Sequence, residues 1–271
     1  MIKKCFKCGY EWEGRIVKPK SCPECKSRKW EGEKMNKKIS TNHQTYINKY
    51  SGAKECLKYP ADWIIRFHNM YLKKVLPKGK VLDFGCGSGN NSLFFIEKNY
   101  NVYGVDITNN FEQLVKSNLK RNNLSLKALN NFSIISTDCT SLPFKDEFFD
   151  FILSNQVLYY LPSKEHIQKV CRDMARCLKP NGLVFFTMMG TKNDYISKYS
   201  KSIKGNIHKV LVDTIGHRLE GTEEEIYNIN NEDELKDLFS EFECISTGYF
   251  NQSMLEMSSN FHWIFIGKKR K

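Results

Sequence analysis

The chain has 271 residues, a formal net charge of +12, 13% aromatic residues and ten cysteines. That length suffices for one full core plus a small extra unit; its longest apolar stretch, 148–161, is broken by Asp150, Asn155 and Gln156 and is too short to cross a bilayer. With no N-terminal segment of signal-peptide type, the expectation is a cytoplasmic protein that does not enter membranes, in a reducing compartment where cysteines do not build a disulfide framework.

The first element is a pair of knuckles, Cys5-Phe-Lys-Cys8 and Cys22-Pro-Glu-Cys25, with thirteen residues between them. Each knuckle aims two thiolates at one point, and two of them complete a tetrahedral Zn²⁺ shell with no open position, so the metal is structural. The rival readings of the spacing are a redox dithiol and a four-cysteine iron site. Tyr10-Glu-Trp12 reads as a short strand before a hairpin turn, and residues 1–32 resemble a zinc ribbon. A unit of this size has little core, so the metal is expected to supply its folding energy. Residues 1–40 hold twelve Lys/Arg against five Asp/Glu, interleaved with Phe6, Tyr10, Trp12 and Trp30. Cations with flat rings suit single-stranded nucleic acid. Protein contact and simple stabilisation are the other two roles open to it, and a lysine-rich surface is often only a soluble one.

Residues 33–47, polar and without apolar periodicity, read as a linker, and 48–271 as one further domain. Tyr59-Pro-Ala-Asp62 starts a helix. Pro60 suits the first turn, and Trp63, Ile64, Phe67, Tyr71 and Val75 recur at helical spacing.

Next comes Val-Leu-Asp-Phe-Gly-Cys-Gly-Ser-Gly-Asn at 81–90. A short apolar strand runs into glycines at every second position, then into a helix at 91–98. Glycine lets a ligand approach the backbone without a Cβ in the way, and the helix start presents N–H groups. The dinucleotide fingerprint G-x-G-x-x-G fails, because its last place holds Asn90. What remains is D-x-G-x-G with Asp83 inside the strand. A second strand, 101–106, ends in Asp106, roughly 20 residues past the glycines, where a carboxylate can accept from both ribose hydroxyls. A third strand, 132–136, precedes Thr137-Asp138-Cys139. A fourth, 150–154, leads into Asn155-Gln156-Val157-Leu158. A helix at 163–178, the turn Lys179-Pro-Asn-Gly182 and a fifth strand at 183–188 follow. Alone, Asp83 could cap the glycine loop and Asp106 could be a helix N-cap. On successive strand ends, where open α/β sheets bind ligands, they read as one site.

This succession resembles the class I S-adenosylmethionine-dependent methyltransferases, closely over 59–189 and loosely over 190–271. The resemblance implies a doubly wound α/β fold with a seven-stranded, mostly parallel sheet, preceded here by the small zinc-ribbon unit. It implies that Asp83, Gly85, Cys86, Gly87 and Gly89 hold S-adenosylmethionine, with Asp106 and Ile107 at the ribose, Asp138 and Cys139 at the adenine, and Asn155 and Gln156 beside the cofactor. Tyr159 and Tyr160 then lie on the acceptor side. Cys139 sits beside the adenine rather than the methyl group, which suits packing and not a nucleophile. The helix at 59–75 closes over the methionine end of the cofactor in such proteins, making Arg66 and Tyr59 candidates for its carboxylate. The Asn/Asp-Pro-Pro-Tyr motif of amine-methylating enzymes is missing; Ser154-Asn155-Gln156-Val157 stands there.

Residues 190–231 are too long for a plain connection and read as a partly helical substrate lid. Within them His217 is the candidate general base, since an imidazole titrates near neutrality. The acidic run 220–225 reads as a solvated helix start. A helix at 231–239 and strands at 242–249 and 261–267 complete the antiparallel end of the sheet. The expected activity is methyl transfer from S-adenosylmethionine to a small metabolite or sugar, at oxygen or nitrogen. The alternatives are an RNA methyltransferase guided by the zinc ribbon, and a cofactor-binding regulator or complex subunit that catalyses nothing.

Overall fold

The computed structural model describes residues 2–4, 11–13, 23–24, 42, 59–108, 111–135, 139–213, 220–221, 223–254 and 259–270. The chain divides into two compact units, Met1–Asn36 and Lys37–Lys271. In the first, β1 (Ile2–Lys4) pairs antiparallel with β2 (Glu11–Glu13), Lys3 opposite Trp12. Cys5, Cys8, Cys22 and Cys25 lie outside the described residues.

The second unit is built on a seven-stranded sheet of β3 (Lys80–Phe84), β4 (Asn101–Asp106), β5 (Phe132–Ile134), β6 (Phe149–Ser154), β7 (Leu178–Met189), β11 (Phe242–Phe250) and β12 (His262–Lys269). Its order is β11-β12-β7-β6-β3-β4-β5, and only the pairs made by β12 are antiparallel. The central strands are apolar on both faces because both are covered. Leu82, Ile152, Val184 and Phe186 face α4 (Lys164–Cys177) and α6 (Glu232–Leu238). Their neighbours in sequence, Val81, Phe151, Leu153 and Phe185, face the opposite helices, as the two-residue strand period requires.

Those opposite helices are α1 and α2 (Asn90–Glu97). The first runs from Asp62–Phe67 through a π-helical stretch, His68–Leu72, into Lys73–Val75. The wider π turn rotates the buried face, so Leu72 packs inward while Val75, expected inward, is exposed. Between β4 and β5 come α3 (Phe111–Arg121) and a 3-10 turn, Leu126–Asn131. Strand β7 is longer than the 183–188 expected: it already pairs with β6 at Leu178. The turn expected at 179–182 survives as an irregularity inside the strand, with Asn181 at φ 61°.

Residues 190–231 differ most from expectation. Their described residues hold one helical turn, α5 (Asp194–Ser197), and a three-stranded antiparallel sheet, β8 (Ser200–Lys204), β9 (Ile207–Leu211) and β10 (Glu223–Tyr227). Gly205, at φ 53°, makes the tight β8–β9 turn. Within the acidic run, 223–225 belong to a strand and not to a helix start: Glu224 and Ile226 alternate inward, and Glu223 pairs with Lys209 at 2.6 Å. Asn42, inside the stretch read as linker, is buried. Its amide donates to the Tyr160 and Glu225 carbonyls and accepts from the Glu225 N–H, each at 3.0 Å. No helix among the described residues is long and apolar enough to cross a membrane.

Candidate active site

The carboxyl ends of β3 and β4 form the first half of the site. Gly85 and Cys86 donate their N–H groups to the Val105 carbonyl at 2.8 and 3.0 Å, which folds the loop back over β4. Gly85, Gly87 and Gly89 all have positive φ, and Gly89 caps α2. At Gly85 the restriction is doubled: a Cβ there would lie 2.5 Å from the Val157 side chain. The loop thus depends on glycine both for its backbone and for its packing.

Asp106 holds this loop in shape. One carboxylate oxygen accepts from the Gly87 N–H at 2.8 Å, the other from the Thr108 N–H and hydroxyl at 2.9 and 2.8 Å. The next described helical residue is Phe111. A carboxylate has about four lone-pair positions, and these three bonds leave capacity for a hydroxyl. Asp83 is buried one strand away. It accepts from the Ser92 hydroxyl at 2.6 Å, while its Oδ1 has no hydrogen-bond partner among the described residues. Burial first, and the charge of Asp106 second, push its carboxyl up to about 7 against the pull of Ser92. Cys86 is buried beneath the loop, and burial holds its thiol well above the ordinary range, which leaves it an inert packing group. Ile107 is half-buried against the main core. The glycine cradle, the orphaned Asp83 oxygen and the spare capacity of Asp106 fit a ligand with hydroxyl and amine donors.

The second half lies past β6. Gln156 takes φ 61° and donates its N–H to the Thr187 hydroxyl at 2.7 Å; that hydroxyl donates to Asn155 Oδ1 at 3.3 Å. The Trp63 indole donates to the same oxygen at 3.0 Å, tying α1 to β6. Rings accumulate here. Trp63 stacks on Phe250 with centroids 3.4 Å apart, Phe250 on His262 at 4.9 Å, and His262 meets Tyr159 at 5.6 Å. Tyr159 is buried and Tyr160 half-buried, 4.5 Å apart.

Each expected residue thus has a place or none. The glycines, Asp83, Cys86 and Asp106 come together at one strand edge, and Asn155, Gln156, Tyr159 and Tyr160 follow β6. Cys139 is buried in the main core at φ 54°. Asp138 and His217 lie outside the described residues. Arg66 pairs with Asp62 at 2.5 Å on the surface, and Tyr59 is exposed. The sequence reading missed Thr187, Phe250 and His262, and gave Trp63 only as an apolar position at helical spacing. His262 opens an aromatic strand, where a histidine reads as packing.

Residues 82–186 match the family model described as a methyltransferase domain. Over that segment the chain is similar to methyltransferase domains, and its seven-stranded sheet has their fold. It is 28% identical over 132 residues to a tRNA (carboxymethyluridine(34)-5-O)-methyltransferase of Arabidopsis thaliana, covering 46% of this chain and 28% of that protein. It is 31% identical over 114 residues to a sterol 4-C-methyltransferase of Caenorhabditis elegans, covering 42% of this chain and 32% of that protein. The chain therefore spans about a third of the length of these relatives. Among solved structures, an S-adenosylmethionine-dependent methyltransferase of Methanosarcina mazei superposes with a TM-score of 0.58 at 20% identity, covering 78% of this chain and 98% of the other. A 1,6-didemethyltoxoflavin-N1-methyltransferase of Burkholderia thailandensis, with bound S-adenosylhomocysteine, gives 0.54 at 13% identity over 86% and 87%.

Proposed function

We propose that this protein is a methyltransferase of the cytoplasm that uses S-adenosylmethionine to methylate a small metabolite or sugar at oxygen or nitrogen. When bound, the cofactor supplies a methyl group on a sulfonium centre. The chain's own work is to hold it and to orient the acceptor. Asp106 and the glycine loop fix the ribose side; Asn155 and Gln156, held by Thr187, set the wall between cofactor and acceptor. A group held in place this way needs little further chemistry, because orientation and exclusion of water carry much of the rate of such a transfer.

The single observation that carries the small-molecule reading is the set of rings joined to Asn155. Trp63 and Phe250 are half-buried rings backed by the buried His262 and Tyr159, and no charged group joins this stack among the described residues. RNA is the second reading, favoured by the basic first forty residues and the two cysteine knuckles. We assign those knuckles, Cys5, Cys8, Cys22 and Cys25, to a structural Zn²⁺ ribbon in residues 1–32, which docks RNA or protein. The four thiolates are the right donor set for zinc, and their two tight turns suit a closed site. A role as a cofactor-binding regulator is disfavoured by Asp83, the glycines and Asp106 all standing in place.

Methyl-labelled S-adenosylmethionine, incubated with the purified protein and a cell extract, separates these readings. Label in the small-molecule fraction, unaffected by deleting 1–36, is expected. Label in RNA that vanishes with that deletion makes the ribbon a guiding arm, and no label in any fraction removes the enzyme reading.

A further inference from the structure

His262 opens β12, beside Met189 at the carboxyl edge of the sheet. Its ring is 1% exposed. Nδ1 stands 3.2 Å from the Asn260 carbonyl oxygen. A carbonyl oxygen can only accept, so Nδ1 carries the proton and Nε2 is a bare lone pair. That lone pair is buried and has no hydrogen-bond partner among the described residues. Buried polar atoms are almost always paired, and those that are not call for an explanation. A phenylalanine would fill the same stack without leaving an acceptor unmatched, so packing does not account for a histidine here.

The neighbours define what kind of donor would complete it. Phe250 lies against the imidazole with planes 12° apart, and Trp63 lies against Phe250 with planes 9° apart. Tyr159 closes on the imidazole from the segment after β6. Trp63 is bonded to Asn155, two residues before the Val157 side chain that abuts Gly85. The stack is thereby tied, contact by contact, to the glycine loop. The stacked faces are taken by one another, and the ring edges that remain suit the edge-on approach of another flat ring.

The geometry points to His262 as a specificity-determining contact: its Nε2, at the edge of the stack, accepts a hydrogen bond from the O–H or N–H of a flat-ring methyl acceptor that meets the stack edge-on beside Tyr159. This deepens the methyltransferase reading and rests on it. The consequence is selective. A phenolic hydroxyl, a ring N–H or an aromatic amine brings the hydrogen the site lacks. A carboxylate or an already methylated ether sets a second lone pair against Nε2 and is rejected, which also favours release of a product whose only donor has been replaced by a methyl group. Sites built to pair a substrate's polar hydrogen discriminate strongly against analogues that lack it.

The test uses the full chain loaded with S-adenosylhomocysteine, with loading followed by calorimetry. Phenol and aniline are titrated in parallel with their capped forms, anisole and N,N-dimethylaniline, by ligand-detected nuclear magnetic resonance. Saturable binding of the two donors is expected, about tenfold tighter than the capped forms. In His262→Phe, with S-adenosylhomocysteine binding retained, the preference is expected to vanish. Should that variant not fold, the ¹⁵N resonance of His262 Nε2 in the wild type decides. It is expected to move with phenol and to stay in place with anisole. Failure of both donors to bind the loaded protein, a preference that persists in His262→Phe, or an Nε2 resonance indifferent to phenol overturns the assignment. Absence of S-adenosylhomocysteine binding in the wild type overturns the methyltransferase reading beneath it.

Discussion

The two halves of the site are built by different means. On the side proposed for the cofactor the parts lie within 83–108, and backbone geometry does most of the work: left-handed glycines, N–H groups turned inward, and one carboxylate that accepts three bonds. On the side proposed for the acceptor the parts come from residues 63, 155–160, 187, 250 and 262, joined by side chains and ring faces. A cofactor shared across a family can be held by one continuous loop. An acceptor that varies from protein to protein is met by side chains, which can change without disturbing the strands beneath. The comparison implies that each half can be damaged separately.

The largest effect is expected from Gly85→Ala. The added methyl would collide with Val157 at 2.5 Å on a backbone with φ 73°, so loss of cofactor binding and a clear fall in Tm should appear together in calorimetry and thermal denaturation. Asp106→Ala removes the acceptor for Gly87 and Thr108. Hydrogen bonds to a charged group are worth about 1.5–3 kcal/mol each, so affinity for S-adenosylhomocysteine is expected to fall about a hundredfold or more while the fold persists.

Titration sharpens the contrast, because Asp83 in one half and His262 in the other are buried and shifted in opposite senses. Asp83 is raised from 3.8 to about 7 in the fold, chiefly by burial. Between those values the folded chain binds the extra proton, so this group lowers stability as pH rises from about 4 to 7. His262 is lowered from 6.5 to about 4, again chiefly by burial. Here the unfolded chain binds the extra proton, so stability rises with pH from about 4 to 6.5. In the wild type the two slopes oppose each other over that range. Asp83→Asn is expected to leave a rising profile there, gaining about 4 kcal/mol near pH 7 from three pKa units, and His262→Phe a falling one. Denaturant melts at pH 4.5, 5.5 and 6.5 read both, and parallel profiles in the two variants would sink this assignment.

Smaller still is Thr187→Val, which keeps the shape but strands the Gln156 N–H and loosens Asn155. A loss of about 1–3 kcal/mol in stability is expected, with S-adenosylhomocysteine affinity within about twofold, and a collapse of that affinity would show that the two halves are not separable. The least effect on the second unit should come from Cys8→Ser. Metal analysis is expected to show zinc lost, with the main thermal transition unmoved.

Much of the sheet was legible because its central strands are short apolar runs that end at polar residues or glycines. Strands were expected at 101–106 and 150–154, where Asn101–Asp106 and Phe149–Ser154 are found. Asp106 was legible for the same reason: its distance from the glycines is a property of the chain. The π turn in α1 was not, since nothing in His68-Asn-Met-Tyr-Leu72 distinguishes it from an ordinary helix. The sheet in 190–231 escaped because Ser-Lys-Ser-Ile-Lys at 200–204 lies almost wholly exposed and so lacks the alternation of a half-buried strand. His217, flanked by Gly216 and Arg218, looks available in sequence. His262 stands between Phe261 and Trp263, and its lone pair is visible only once Asn260, Phe250 and Tyr159 surround it.

The most direct measurement is a calorimetric titration of the wild type, Asp106→Ala and His262→Phe with S-adenosylhomocysteine. One site per chain is expected in the wild type, with little change in His262→Phe and near-complete loss in Asp106→Ala. Wild-type affinity in Asp106→Ala, or no binding in any of the three, would contradict the placement of the cofactor at the β3–β4 edge.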